Sequence, residues 1–102
     1  MLDLHLELKP QTAIKLKRVL DLHPDQETFA RNVIAYQSTE LKKAILNLHL
    51  DLKALEEKHQ RTSADFYAQF ARGEMDDCEE YILWAGLYEM LIENQTRLAS
   101  LQ

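Results

Sequence analysis

Few residues in this chain are of a type and spacing that could do chemistry. Glu56 and His59, as Glu-x-x-His, share one face of a helix. Di-iron carboxylate bundles use that spacing for one pair of ligands. Such a centre also needs carboxylates from other helices and usually a second Glu-x-x-His. Glu89 and Glu93 stand near the C-terminus without a histidine, so a second chain would have to complete the set. A glutamate–histidine pair near a charged helix end is far more often solvated. Cys78 is the sole cysteine and sits at the start of a helix, a place that can activate a thiol. Asp76, Asp77, Glu79 and Glu80 surround it with negative charge, which opposes a thiolate. Gly-rich phosphate loops, nucleophile elbows and Cys/His clusters are all missing from the sequence. The reading is a non-enzymatic protein with no metal and no cofactor. Its runner-up is a helical-bundle oligomer with a metal site built on Glu56 and His59.

The remaining concentration is aromatic. Six of the eight aromatic residues fall between Phe66 and Tyr88, around Gly73, one of only two glycines. Aromatic side chains contribute large buried area at modest entropy cost, so they anchor cores and interfaces alike. Phe66 and Phe70 are four apart, and Tyr81, Trp84 and Tyr88 follow at three and four. That spacing suits one helix-packing seam. The rings therefore read either as internal core or as a surface kept for a partner protein. A mixture would put Trp84 and Phe70 inside and Tyr67 outside.

The elements that must position these residues are mostly helices. The chain has 102 residues, a net charge of −5, and two glycines and two prolines against many Leu, Ala, Glu, Lys and Gln. One domain is expected, with residues 1–60 as a dimerising part and residues 61–102 as a partner-binding part. The acidic balance argues against general coating of nucleic acid. A single cysteine, no secretory pattern and no long apolar run point to a cytoplasmic protein without a membrane partner. Leu2, Leu4, Leu6 and Leu8 alternate with Asp3, His5 and Glu7, the period of a strand with one leucine face. Pro10 opens a helix that His23-Pro24 closes. From Pro24 a seam of Ala30, Val33, Ile34, Gln37, Leu41, Ala44, Leu48, Leu52 and Leu55 runs to about His59, with Gln37-Ser38-Thr39 as its weakest place, where a break into a short helix and a longer one is allowed. A helix of that length in so short a chain suggests packing on a second subunit through Val33, Leu41, Leu48 and Leu55. Thr62 or Ser63 caps a short helix that Gly73 ends, and Asp76 or Asp77 caps the last one. The last two helices form a C-terminal hairpin.

A lone strand needs a partner for its backbone groups, and the same strand of a second copy is the natural one. LDLHLELKPQTAIKLKRVL, with the Pro-Asp turn after it, resembles the start of ribbon-helix-helix proteins. The resemblance implies a homodimer held by Leu4, Leu6 and Leu8 across a twofold axis. In that family alternate strand residues read bases in the major groove. Here those positions are Asp3, His5 and Glu7, and two carboxylates are repelled by phosphate. Lys9, Lys15, Lys17 and Arg18 could touch phosphates nearby, which keeps a DNA-binding repressor as a further alternative.

The C-terminal half is similar to the tail of small bacterial antitoxin-like proteins. The shared pattern falls on Ser63, Phe66, Tyr67, Phe70, Gly73, Glu74, Asp76, Asp77, Trp84, Tyr88 and Met90. Together the two resemblances imply the antitoxin of a toxin–antitoxin pair. Its partner would be the cognate toxin protein, met by Phe66, Tyr67, Phe70, Glu74, Asp77, Trp84 and Tyr88.

Overall fold

The computed structural model describes residues 2–102. Four helices follow in order: α1 (Pro10–Asp21), α2 (Gln26–His59), α3 (Ser63–Ala71) and α4 (Glu79–Ser100). The chain divides into two compact units, Met1–Ala35 and Tyr36–Gln102. The boundary lies inside α2, so residues 36–59 fall in the C-terminal unit. No described helix is long and apolar enough to cross a membrane.

In the first unit, residues 2–9 form no regular element. The alternating leucines lie open, from 81% exposed at Leu2 to 41% at Leu8. The expected strand is not formed within one chain, because a strand needs a second strand to satisfy its backbone. Pro10 starts α1 from an extended Lys9, where the missing proline N–H costs nothing. None of the helix's residues is buried, and Leu16 alone is half-buried. Asp25 begins α2 by accepting the Thr28 N–H at 2.5 Å. That hydrogen bond holds the Asp25 carboxyl below its usual range. His23 and Phe29 meet edge to face across the turn, with ring centroids 5.5 Å apart.

α2 then runs unbroken for 34 residues, about 50 Å, through Gln37-Ser38-Thr39. Its ending explains its length. Gln60 takes a left-handed φ of 53°, and the Arg61 N–H turns back to the Glu56 carbonyl. The next helix is capped by the Thr62 hydroxyl, which accepts from the Asp65 N–H at 3.1 Å. α3 closes in a Schellman turn. Gly73 at φ 76° donates to Phe70, and Glu74 donates to Gln69, both at 3.0 Å. Cys78 occupies the N-cap of α4 without a side-chain cap bond. Asp76 and Asp77 lie before it, exposed, which corrects the expectation that one of them caps the helix.

The core of the second unit is built by α2, α3 and α4 together. Leu48, Leu52, Phe66, Trp84, Ala85 and Leu91 are buried, with Ile45, Leu55, Tyr67, Phe70, Met75, Tyr81, Leu87 and Tyr88 packed around them. Leu41 is buried as well. The α2 seam thus finds its cover on the chain's own α3 and α4. Leu41 and Leu48, and with them the half-buried Leu55, need no second subunit to be buried. Only Val33, half exposed in the first unit, remains uncovered among the seam residues expected at an interface.

Candidate partner-binding site

Two expected contact residues turn out to be the centre of the core. Phe66 and Trp84 are each 0% exposed, and their rings stack at 4.0 Å with planes 4° apart. Neither can touch a partner while the unit is folded. The Trp84 indole N–H donates to the Ser63 hydroxyl at 2.9 Å, so its one polar group is satisfied inside the core. Helix spacing brings this about. Ser63 is the first residue of α3, Phe66 lies one turn later, and both face α4.

The residues of the metal alternative are spent on the same framework. Glu56 Oε2 accepts the Ser63 N–H at 2.7 Å, satisfying an amide that the start of α3 leaves free. The His59 ring stacks on Trp84 at 5.2 Å and meets Tyr81 edge to face at 5.6 Å, while its Nε2 lies 3.0 Å from Glu80 Oε1. Lys58 binds the same carboxylate at 2.9 Å. The Lys58 hydrogen bond, and then the His59 one, hold the Glu80 carboxyl below its usual range. Glu89 accepts from the Tyr67 hydroxyl, and Glu93 from Arg97. Among the described residues no three of His, Cys, Asp and Glu converge as metal ligands. Sequence spacing made Glu56 and His59 look like a ligand pair; within one chain Glu56 bonds the start of α3, and His59 packs on α4 and meets Glu80.

What faces outward is the edge of the aromatic layer. Phe70 is half-buried, tilted on Phe66 at 5.6 Å, rather than fully inside. Tyr67 and Tyr88 are half-buried and pack at 5.1 Å. The Tyr67 hydroxyl donates to Glu89 at 2.7 Å, and this bond raises the phenol above its ordinary pKa. Tyr67, Tyr88, Glu89, Ile92 and Glu93 line a shallow concavity. Glu74 is exposed and locked by Arg72 through two bonds of 3.0 Å, which lower its carboxyl pKa. Asp77 is exposed on the loop before α4. Of the residues expected at a toxin, Tyr67, Tyr88, Glu74 and Asp77 can be reached from solvent, Phe70 in part, and Phe66 and Trp84 not at all.

Sequence reasoning passed over a second apolar surface, on the outer side of α4. Ile82 is 56% exposed, Leu83 57% and Met90 51%. Their signal is a second helical register, 83, 86 and 90 at i, i+3 and i+7 with Ile82 four before Gly86, offset from the set that carries Trp84. No family model matches the chain, and neither curated proteins nor solved structures give a match.

Proposed function

We propose that this chain is an antitoxin-like protein. Two copies join through their first units, and the second unit binds and neutralises a partner toxin protein. The observation that carries the reading is the state of the first unit. It comprises residues 1–35 and contributes no residue to the buried core. Units below about 40 residues are usually stable only with disulfides, metals or oligomerisation. The single cysteine lies in the other unit. Leu2, Leu4, Leu6, Leu8, Ile14, Val19, Leu20, Val33 and Ile34 are all open in one chain, apolar side chains that pairing with a second copy would cover. Antiparallel pairing of residues 2–8 would give their backbone groups partners and place the leucines on one face. The toxin-binding part of the reading is supported by the order of residues from Ser63 to Met90 and by the exposed acidic and tyrosine edge they form.

The test has two arms. Light scattering gives the mass of the chain and of Leu6→Glu, which would bury an unpaired charge in the leucine face. A dimeric parent and a monomeric variant are expected, and a monomeric parent rules the assembly out. Cells expressing a small basic protein encoded in the neighbouring frame are then co-expressed with the chain. Rescue by the parent, lost when the exposed Glu74 and Asp77 are replaced by Lys at a melting temperature changed little, is the expected outcome. No rescue by the parent rules out neutralisation of that protein.

A further inference from the structure

α4 has two apolar sides. Tyr81, Trp84, Ala85, Tyr88 and Leu91 face the core. At about 100° per residue, Ile82, Leu83, Gly86 and Met90 gather within about 100° of arc on the opposite side. This side is uncovered, and there is open space in front of Gly86 where a side chain would project. Carboxylates rim it. Glu79 lies one turn before, Glu89 and Glu93 lie beside and after, and Asp76 and Asp77 precede the helix. Glu89 is bonded to Tyr67 and Glu93 is paired with Arg97, which shares this side, and the rim is net negative. Among the described residues Asp76, Asp77 and Glu79 form no ion pair, so their charge is available to a partner.

We propose that this outer face of α4 docks an amphipathic helix of another protein, one whose apolar stripe is flanked by Lys and Arg. The proposal rests on the partner-binding reading and moves the main apolar contact from the aromatic edge to Ile82, Leu83 and Met90. Gly86 lets the incoming helix approach closely between them. The carboxylate rim selects basic flanks and speeds encounter with them.

A second copy fits this face poorly. Antiparallel pairing centred on Gly86 sets Ile82 against Met90 of the other copy, but it also sets Glu79 against Glu93. Sliding the register to match Glu79 with Arg97 brings Leu83 against Glu93. Parallel pairing in register opposes each glutamate to itself. The outer side of α2 has the complementary chemistry, with Leu46 and Leu50 open among Lys42, Lys43 and Lys53. It points away from the same core, so docking it on α4 of another copy is a head-to-tail contact that adds copy after copy, an outcome the test below reads as growth in mass.

The test uses the full chain and three synthetic probes. One is an amphipathic Leu/Lys helix, the second its Leu/Glu analogue, and the third a Leu/Lys peptide with the leucines scattered around the helix. Binding is read by fluorescence anisotropy at low and high salt. The amphipathic Leu/Lys helix is expected to bind about tenfold or more tightly than either control, with weakening at high salt. Leu83→Ser combined with Met90→Ser is expected to weaken it about tenfold without changing the melting temperature, because both side chains are more than half exposed. Equal binding of all three peptides, or undiminished binding by the double variant, overturns the proposal. If Tyr67→Ala abolishes binding while the double variant retains it, the partner-binding reading stands and the contact is the tyrosine edge. Concentration-dependent growth in mass that the double variant abolishes would assign the face to another copy of this chain and overturn the proposal. Absence of binding to the Leu/Lys helix also overturns it, while dimerisation through the first unit is measured independently.

Discussion

Replacing Ser63 by alanine isolates one bond at the centre of the fold. Ser63 is 3% exposed and Trp84 0%, and the 2.9 Å bond between hydroxyl and indole is the one that the Trp84 N–H makes. Alanine leaves that donor buried without an acceptor, a cost of about 1–3 kcal/mol. The backbone N–H of residue 63 keeps Glu56, and Thr62 remains the cap of α3, so the loss is confined to the hydroxyl. At about 4–8 °C per kcal/mol for a domain of this size, a 2 kcal/mol loss lowers Tm by about 8–16 °C. Trp84 is the only tryptophan, so its fluorescence reports unfolding in urea directly. Trp84→Phe removes the donor, and in that background Ser63→Ala should cost less than about 0.5 kcal/mol, followed by circular dichroism. A loss below about 0.5 kcal/mol in the parent, or an equal loss in both backgrounds, refutes the idea that this bond matters to the core.

Other outcomes follow from neighbouring features. Leu48→Ala should cost about 2–5 kcal/mol through loss of contacts with α3 and α4, and should do so equally at all protein concentrations. Gln60→Gly should stabilise by about 0.5–1 kcal/mol in urea titration, since it relieves a non-glycine residue at φ 53° and sacrifices only a surface bond to the Glu57 carbonyl. Glu80 has a lowered carboxyl pKa, so its contribution is present above the unfolded carboxylate value and is lost as pH falls through the lower folded value. Glu80→Gln should therefore lower Tm at neutral pH, leave it unchanged at the acid extreme, and so flatten the acid limb of the Tm–pH profile. Tyr67→Phe should keep the packing on Tyr88 while removing the bond to Glu89, with a melting change small beside that of Ser63→Ala.

The sequence by itself determined the helices. Pro10, Pro24, the Thr62 cap and Gly73 mark starts and stops through local backbone chemistry, and local chemistry is legible in a string of residues. The sequence nevertheless allows a break at Gln37-Ser38-Thr39 that α2 does not make. It also marked which residues of α3 and α4 are apolar at helical spacing. Only the tertiary structure decided where those faces turn. Leu48 and Leu52 are covered by the chain's own α3 and α4, because the turn at Gln60–Thr62 reverses the chain onto α2. Phe66 and Trp84 became core because Ser63 and Glu56 tie the start of α3 against both neighbours. Glu56 and His59, a ligand pair by spacing, meet Ser63 and Glu80 within one chain. The leucines at 2–8 show the converse: their alternation is plain in the sequence, yet one chain supplies no second strand to cover them. A periodic pattern specifies a face, and only packing specifies what that face meets.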